Sequence, residues 1–175
     1  ASAKAQAGYG VVARLAGDGT PLYARRLTRG EAEARVAWVH APYHAALAGM
    51  MRSARARFGR AVLIDWHSMP ARATNGAVDV VLGDRHGTSC QALLTRRLRR
   101  LFEAQGLTVG LNRPYAGGYA TQTWGRPEEG FEALQVELSR GLYWDEAAWA
   151  PSPGWKRCRS ALRRVIAELC ADWRA

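Results

Sequence analysis

The sequence predicts an α/β fold, with a mixed, largely parallel sheet flanked by helices. Three observations carry that expectation. Short apolar segments alternate along the chain with longer segments of helical period. AVLID (61–65) is apolar up to its last residue, as in a strand buried on both faces. SCQALLTRRLRRLFEAQG (89–106) aligns Leu93, Leu94, Leu98, Leu101 and Phe102 on one stripe, as a helix lying on such a sheet must. At 175 residues the chain is long enough to bury a core, and a single domain over 1–175 is expected.

The elements follow in order. YGVVARL (9–15) and PLYARRL (21–27) read as the two strands of a hairpin, with GDGT (17–20) as the turn. Thr28, followed by Glu31 three residues later, is the pattern of a capping box. It opens a helix over about 29–57, whose Val36, Val39, Tyr43 and Leu47 recur at spacings of three and four. Pro42 should kink or split that helix. After Gly59 comes the AVLID strand, then a polar loop with Asn75 and Gly76, then a strand within AVDVVLGD (77–84). Gly106 closes the 89–106 helix. LTVGLN (107–112) is a strand, 112–130 a Gly- and Pro-rich loop, and FEALQVELSR (131–140) a strand. PSPG (151–154) separates this from a closing helix over 155–174.

Composition narrows the function classes. Apolar content of 48% and seven tryptophans exclude a disordered chain. No apolar run approaches the roughly 18–20 residues that span a bilayer, so no membrane partner is expected. Three cysteines without a CxxC pair fit a reducing, cytoplasmic setting. The net charge of +10 rests on arginine, since only Lys4 and Lys156 are lysine. The arginines are scattered over most helices, as in a solvated basic surface, and no nucleic-acid motif accompanies them, so no nucleic-acid partner is expected.

Open α/β sheets bind ligands beyond the carboxyl ends of their strands. Polar clusters fall at three such ends: Asp65–Ser68, Asn112–Tyr119 and Glu137–Arg140, with Asp84–His86 as a fourth. His67 can offer an imidazole nitrogen to zinc, with Asp65 fixing its other nitrogen. A hydrogen-bonded core histidine is the plainer alternative. Glu137, between the apolar Leu134, Val136 and Leu138, is placed to have its proton affinity tuned and to take a proton from a bound water. Its plainer alternative is a buried partner of Arg140 or Arg113. His40 and His44 are four apart, a metal-compatible spacing, but Pro42 interrupts the turn between them, and packing or a polar network is the plainer reading. His86 suits a surface loop as well as a ligand position, and Cys90 has no evident histidine to activate it.

LIDWHSMP and LQVELSR resemble the metallocarboxypeptidase strands that carry a zinc-ligating histidine and the catalytic glutamate. A fuller resemblance is to the N-formylglutamate amidohydrolases. VHAPYHAAL, DWHSMP, VDVVLGDRHGTSC and LNRPYAGGYATQTWGRPEEGFEALQVELSRGLYWDE are similar to that family's blocks, in order, from about Tyr9 to the last helix. The resemblance implies a phosphorylase/hydrolase-like, zinc-carboxypeptidase-like fold. It also implies a zinc-dependent hydrolase that cleaves N-formyl-L-glutamate to formate and L-glutamate, ending a histidine-degradation route. His67 would then be a zinc ligand and Glu137 the catalytic residue, with Asp65, Ser68 and His44 supporting them. The family's other two zinc ligands lie in an N-terminal segment that has no counterpart here, so the chain is expected to lack that segment.

The implied partner is a small-molecule dicarboxylate. Arginine suits a carboxylate because its fork donates two parallel bonds. Arg113 is the first candidate, with Asn112 beside it and Arg85 and Arg72 as second choices. Tyr119 could reach the substrate or serve equally as a packed aromatic, and Gly117 and Gly118 permit close backbone approach. Three alternatives stand beside this reading: a zinc hydrolase of another N-acyl amino acid or peptide, an inactive fragment of one, and a basic nucleic-acid-binding module.

Overall fold

The computed structural model describes residues 3–171. Its contacts divide the chain into two units, Ala1–Ser53 and Ala54–Ala175.

The first unit begins with a short helix α1 (Ala3–Gln6). The turn expected at 17–20 forms, with the Ala16 amide donating to Thr20 O and the Asp18 carboxylate accepting from the Thr20 amide. The expected hairpin does not. Only an isolated antiparallel bridge, Leu15 to Pro21, joins its arms. Two short arms without a third strand gain too little burial to hold a ladder, and Val11 and Leu22 remain exposed. Thr28 caps α2 (Arg29–Arg35) as its pattern predicts. Its hydroxyl accepts from the Glu31 amide, and the Glu31 carboxylate accepts from the Thr28 amide. A π-helical turn over Val36–His40 separates α2 from α3 (Ala41–Phe58). That wide turn sits directly before Pro42, where an α-helical register would drive the proline ring into the carbonyl four residues back. The proline therefore opens the helix rather than ending it.

The second unit is built on one four-stranded sheet. Its strands are β1 (Ala61–Met69), β2 (Val80–Gly83), β3 (Val109–Leu111) and β4 (Phe131–Ser139), in the order β1-β4-β2-β3. Two of the three pairings, β1 with β4 and β2 with β3, are parallel, and β4 meets β2 antiparallel. The carboxyl ends of β1 and β4 therefore lie at the rim opposite those of β2 and β3. The polar clusters expected to meet at one set of strand ends are thus divided between the two rims.

Helices α4 (Ala92–Glu103) and α6 (Trp155–Ala171) cover one face. Leu94, Leu98 and Phe102 of α4 and Val165 and Leu169 of α6 pack with Val80, Leu82, Leu134, Val136 and Leu138. Each such buried side chain contributes about 1.5–3 kcal/mol. Glu132 shares this face, and its carboxylate accepts from the Gln91 amide at the start of α4. A short helix α5 (Tyr119–Trp124) covers part of the other face, packing on β4 and β1. A small antiparallel pair, β5 (Trp144–Asp145) with β6 (Ala150–Pro151), precedes α6. Of the closing helix expected over 155–174, positions 172–174 lie outside the described residues. No helix among the described residues is long and apolar enough to cross a membrane.

Candidate functional site

The AVLID segment does not stop at Asp65. Strand β1 continues through Trp66, His67 and Ser68 to Met69, because all nine of its residues pair with the nine of β4. Asp65 stands beside Gln135, and His67 beside Glu137. Side chains alternate along a strand, so these four share one face. The intervening positions share the helix-covered face: Val62 and Ile64 pack on the core, and Trp66 meets Phe102 edge-on at 6.2 Å. Two apolar rows thus turn a two-by-two polar grid to the opposite side of the sheet. The site lies on a sheet face rather than at the rim.

His67 is half exposed and so is not a core histidine; its Nε2 lies 3.1 Å from Oδ2 of the largely buried Asp65. Glu137 is only 6% exposed, and its Oε1 accepts from Nε2 of Gln135 at 2.5 Å. Burial pushes its carboxyl above the ordinary glutamate range, with Asp65 adding to the rise. The Gln135 hydrogen bond and the charges of His67 and Arg140 oppose that rise without cancelling it. Arg140 is not its hydrogen-bonded partner, since that guanidinium binds Glu146 at 3.1 Å.

A loop closes over the grid from the β2 side. Gly83 sits beside Gln135, and a Cβ there would lie 2.7 Å from the carbonyl carbon of Ala116 and the nitrogen of Gly117. The loop can approach the sheet only because position 83 has no side chain. Gly83→Ala should overpack this contact and lower stability by about 2 kcal/mol. Denaturant unfolding with an unchanged slope checks it, and an unchanged midpoint counts against the contact.

Asp84 organises the loop. Its Oδ1 accepts from the Gly87 amide and Asn112 Nδ2, and its Oδ2 from the Thr95 hydroxyl. Burial works against its charge, but these donors outweigh burial and hold the carboxyl below the ordinary aspartate range. Asn112 Oδ1 accepts in turn from the amides of Asp84 and His86. The side chain of Asn112 is thus committed at both ends to the loop. Arg85, His86 and Asn112 all adopt positive φ, and the Arg85 amide donates to Ala116 O at 2.8 Å.

The remaining sequence candidates are distributed around this frame. The Arg85 stem packs against Gly117, where an added Cβ would stand 3.1 Å from its Cγ. Arg113 is exposed just past β3, two strands from β4. Tyr119 opens α5, and Arg72 is exposed on a 3-10 turn after β1. Ser68 points to the face opposite His67, and its Oγ accepts from Arg140 Nε at 3.5 Å. His44 lies in the first unit, its ring 4.2 Å from that of His40 and edge-on to Tyr43. Cys90 is buried against Thr95, and burial pushes its thiol up to about 11, which removes it as a nucleophile. Gln135 is not among the candidates the sequence offers. Its signal was parity, a polar residue two positions before Glu137 in an otherwise apolar strand.

His67 is the one imidazole in the grid. Among the described residues no group of three or more His, Cys, Asp and Glu side chains could hold a metal ion. The grid's imidazole and two carboxylates are therefore not gathered as the usual three protein ligands of a zinc site.

Comparison with known proteins follows the same lines. A family model described as N-formylglutamate amidohydrolase matches residues 1–144. The chain is 36% identical over 160 residues to an N-formylglutamate deformylase of Pseudomonas aeruginosa PAO1, covering 87% of this chain and 59% of that protein. It is 33% identical over 136 residues to a Pseudomonas putida protein of the same name, covering 74% and 51%. The crystal structure of N-formylglutamate amidohydrolase from Ralstonia eutropha JMP134 superposes with a TM-score of 0.87 at 34% identity, covering 96% of this chain and 64% of that one. An Agrobacterium tumefaciens gene product shares the fold alone, with a TM-score of 0.59 at 19% identity over 83% of this chain and 55% of that one. The chain thus spans about half to three-fifths of the curated relatives it matches.

Proposed function

Because the chain belongs to the N-formylglutamate amidohydrolase family, we propose that its polar grid forms the proton-transfer side of a site that hydrolyses N-formyl-L-glutamate to formate and L-glutamate. The observation that carries this is the register of β1 against β4, which sets His67 beside Glu137 on one face. A carboxylate whose proton affinity burial has raised is matched to exchanging protons nearer neutrality. Glu137 takes a proton from water as the hydroxyl adds to the formyl carbon. It then delivers that proton to the amide nitrogen as the C–N bond breaks. Arg85 and Arg113 are the proposed clamps for the substrate's carboxylates. A place at the end of a histidine-degradation route is part of this proposal. Zinc enters this reading through His67 as one candidate ligand, and no step is routed through a metal.

The test is formate release by the purified protein from N-formyl-L-glutamate, with N-acetyl-L-glutamate and N-formyl-L-glutamine as controls for the acyl group and the side-chain carboxylate. The free α-amine is read beside formate, because the acetylated control can release only acetate; preference for the formylated dicarboxylate supports the reading, and amine release from none of the three, or equally from all, overturns the substrate assignment. His67→Ala, which removes the grid's only imidazole, should lower turnover at least about 100-fold. It should also abolish any zinc that the parent protein retains after dialysis, read by atomic emission. Full activity in that variant removes His67 from the site.

A further inference from the structure

Gln135 is 5% exposed, and its carbonyl oxygen Oε1 is buried with no hydrogen-bond partner. Its neighbours in register explain why. Asp65 on β1 can only accept when ionised, and Gly83 on β2 has no side chain. Oε1 is turned toward Gly118, where an added Cβ would stand 3.2 Å away. A buried amide with one end unsatisfied is unfavourable, and an apolar side chain of the same length would avoid it. The other end of the amide supplies the reason for its presence. An ionised Glu137 only accepts, so the NH2 of Gln135 must face it, which turns the carbonyl away into the unsatisfied position. Among the described residues no hydrogen bond falls on the second oxygen of Glu137, Oε2, and that atom is not among the buried atoms without a partner.

We infer that Gln135 is a positioning residue. Its amide nitrogen anchors Oε1 of Glu137, leaving Oε2 as the oxygen that exchanges the proton. This rests on the reading of Glu137 as the proton-transfer group. Anchoring one carboxylate oxygen fixes the plane of the group and aims its free lone pairs at one place, which is worth most where a proton must pass along a defined line. The stability cost of the orphaned carbonyl is accepted for that orientation, a pattern found where function and stability compete.

Two variants test it. Gln135→Met keeps length and removes both polar ends; Gln135→Glu keeps shape and an acceptor but loses the donor. Both should lower kcat about 10- to 100-fold with KM within about threefold. The thermal midpoint of Gln135→Met should stay within about 3 °C of the parent, because one lost hydrogen bond is offset by one relieved carbonyl. In a crystal structure of Gln135→Met the Glu137 carboxylate should be rotated or split between orientations. Unchanged kcat in both variants, a fall in kcat matched by a large fall in midpoint, or a Glu137 carboxylate still in its single parental orientation would each overturn the inference. If the parent protein releases no formate, the functional reading fails by itself, and the carboxylate's orientation in Gln135→Met still decides whether Gln135 anchors it.

Discussion

Glu137→Gln should lower turnover at least about 1,000-fold, the range expected when a positioned acid–base group is removed, and should leave the protein folded. The substitution is isosteric. Gln135 can reverse its amide to meet the new side chain, so its orphaned oxygen gains a donor rather than losing one. Stability should move in the opposite direction to activity. The folded protein raises the pKa of Glu137 through burial, so this group contributes stability that is present below its unfolded pKa and is lost as pH rises through the folded value. At pH values above the raised pKa of Glu137 the wild type carries a buried charge that the variant lacks, and there the variant should melt higher. That advantage should shrink on acidification, as Glu137 takes up its proton. The acid limb of the wild-type rate profile should lie above the ordinary glutamate range and vanish from any residual activity of the variant. A variant that keeps most of its turnover, or whose melting temperature does not rise relative to the wild type as pH increases, removes Glu137 from its role.

What could be read in advance divides along a physical line. Patterns that close within a few residues were legible: the Thr28–Glu31 capping box, the apolar stripe of α4, the positive-φ Gly106 after it, and the Pro42 disturbance. Strand extent was not, because the end of β1 is set by β4, seventy positions away in register. The antiparallel pairing of β4 with β2 is likewise a property of chain path, which no local period encodes, and it moves Asp84 and Asn112 to the rim opposite Arg140. The arms around 17–20 had strand-like composition but no neighbour to complete a sheet. Within the site, His67 and Glu137 were visible as polar residues in apolar strands. Gln135 was hidden because an uncharged amide carries no chemistry until its partner is known, and Asn112 looked like a substrate contact because its bonds to Asp84 cross from one loop to another.

Asp84→Ala should cost about 3 kcal/mol, at the upper end for single substitutions, because it leaves the Thr95 hydroxyl, the Gly87 amide and the Asn112 amide without their shared acceptor. The sign of its pH dependence is opposite to that of Glu137. The folded protein lowers the pKa of Asp84, so its contribution is present above the unfolded pKa and is lost as pH falls through the folded value. The stability gap between wild type and Asp84→Ala should therefore be constant around neutrality and close in acid. Asp84→Asn should cost less, since an amide oxygen can still accept two of the donors and Thr95 can reverse its hydroxyl. The catalytic consequence is the sharper test. Asp84 directly follows β2, the strand beside the β4 strand that carries Glu137, but all its recorded bonds run to its own turn, to α4 and to Asn112. Its loss should act through the positions of Arg85 and of the Ala116–Gly118 backbone, so KM for a dicarboxylate should rise more than kcat falls. If kcat collapses while KM holds, Asp84 belongs to the proton-transfer group itself, and the separation of this site into a catalytic grid and a binding loop is wrong.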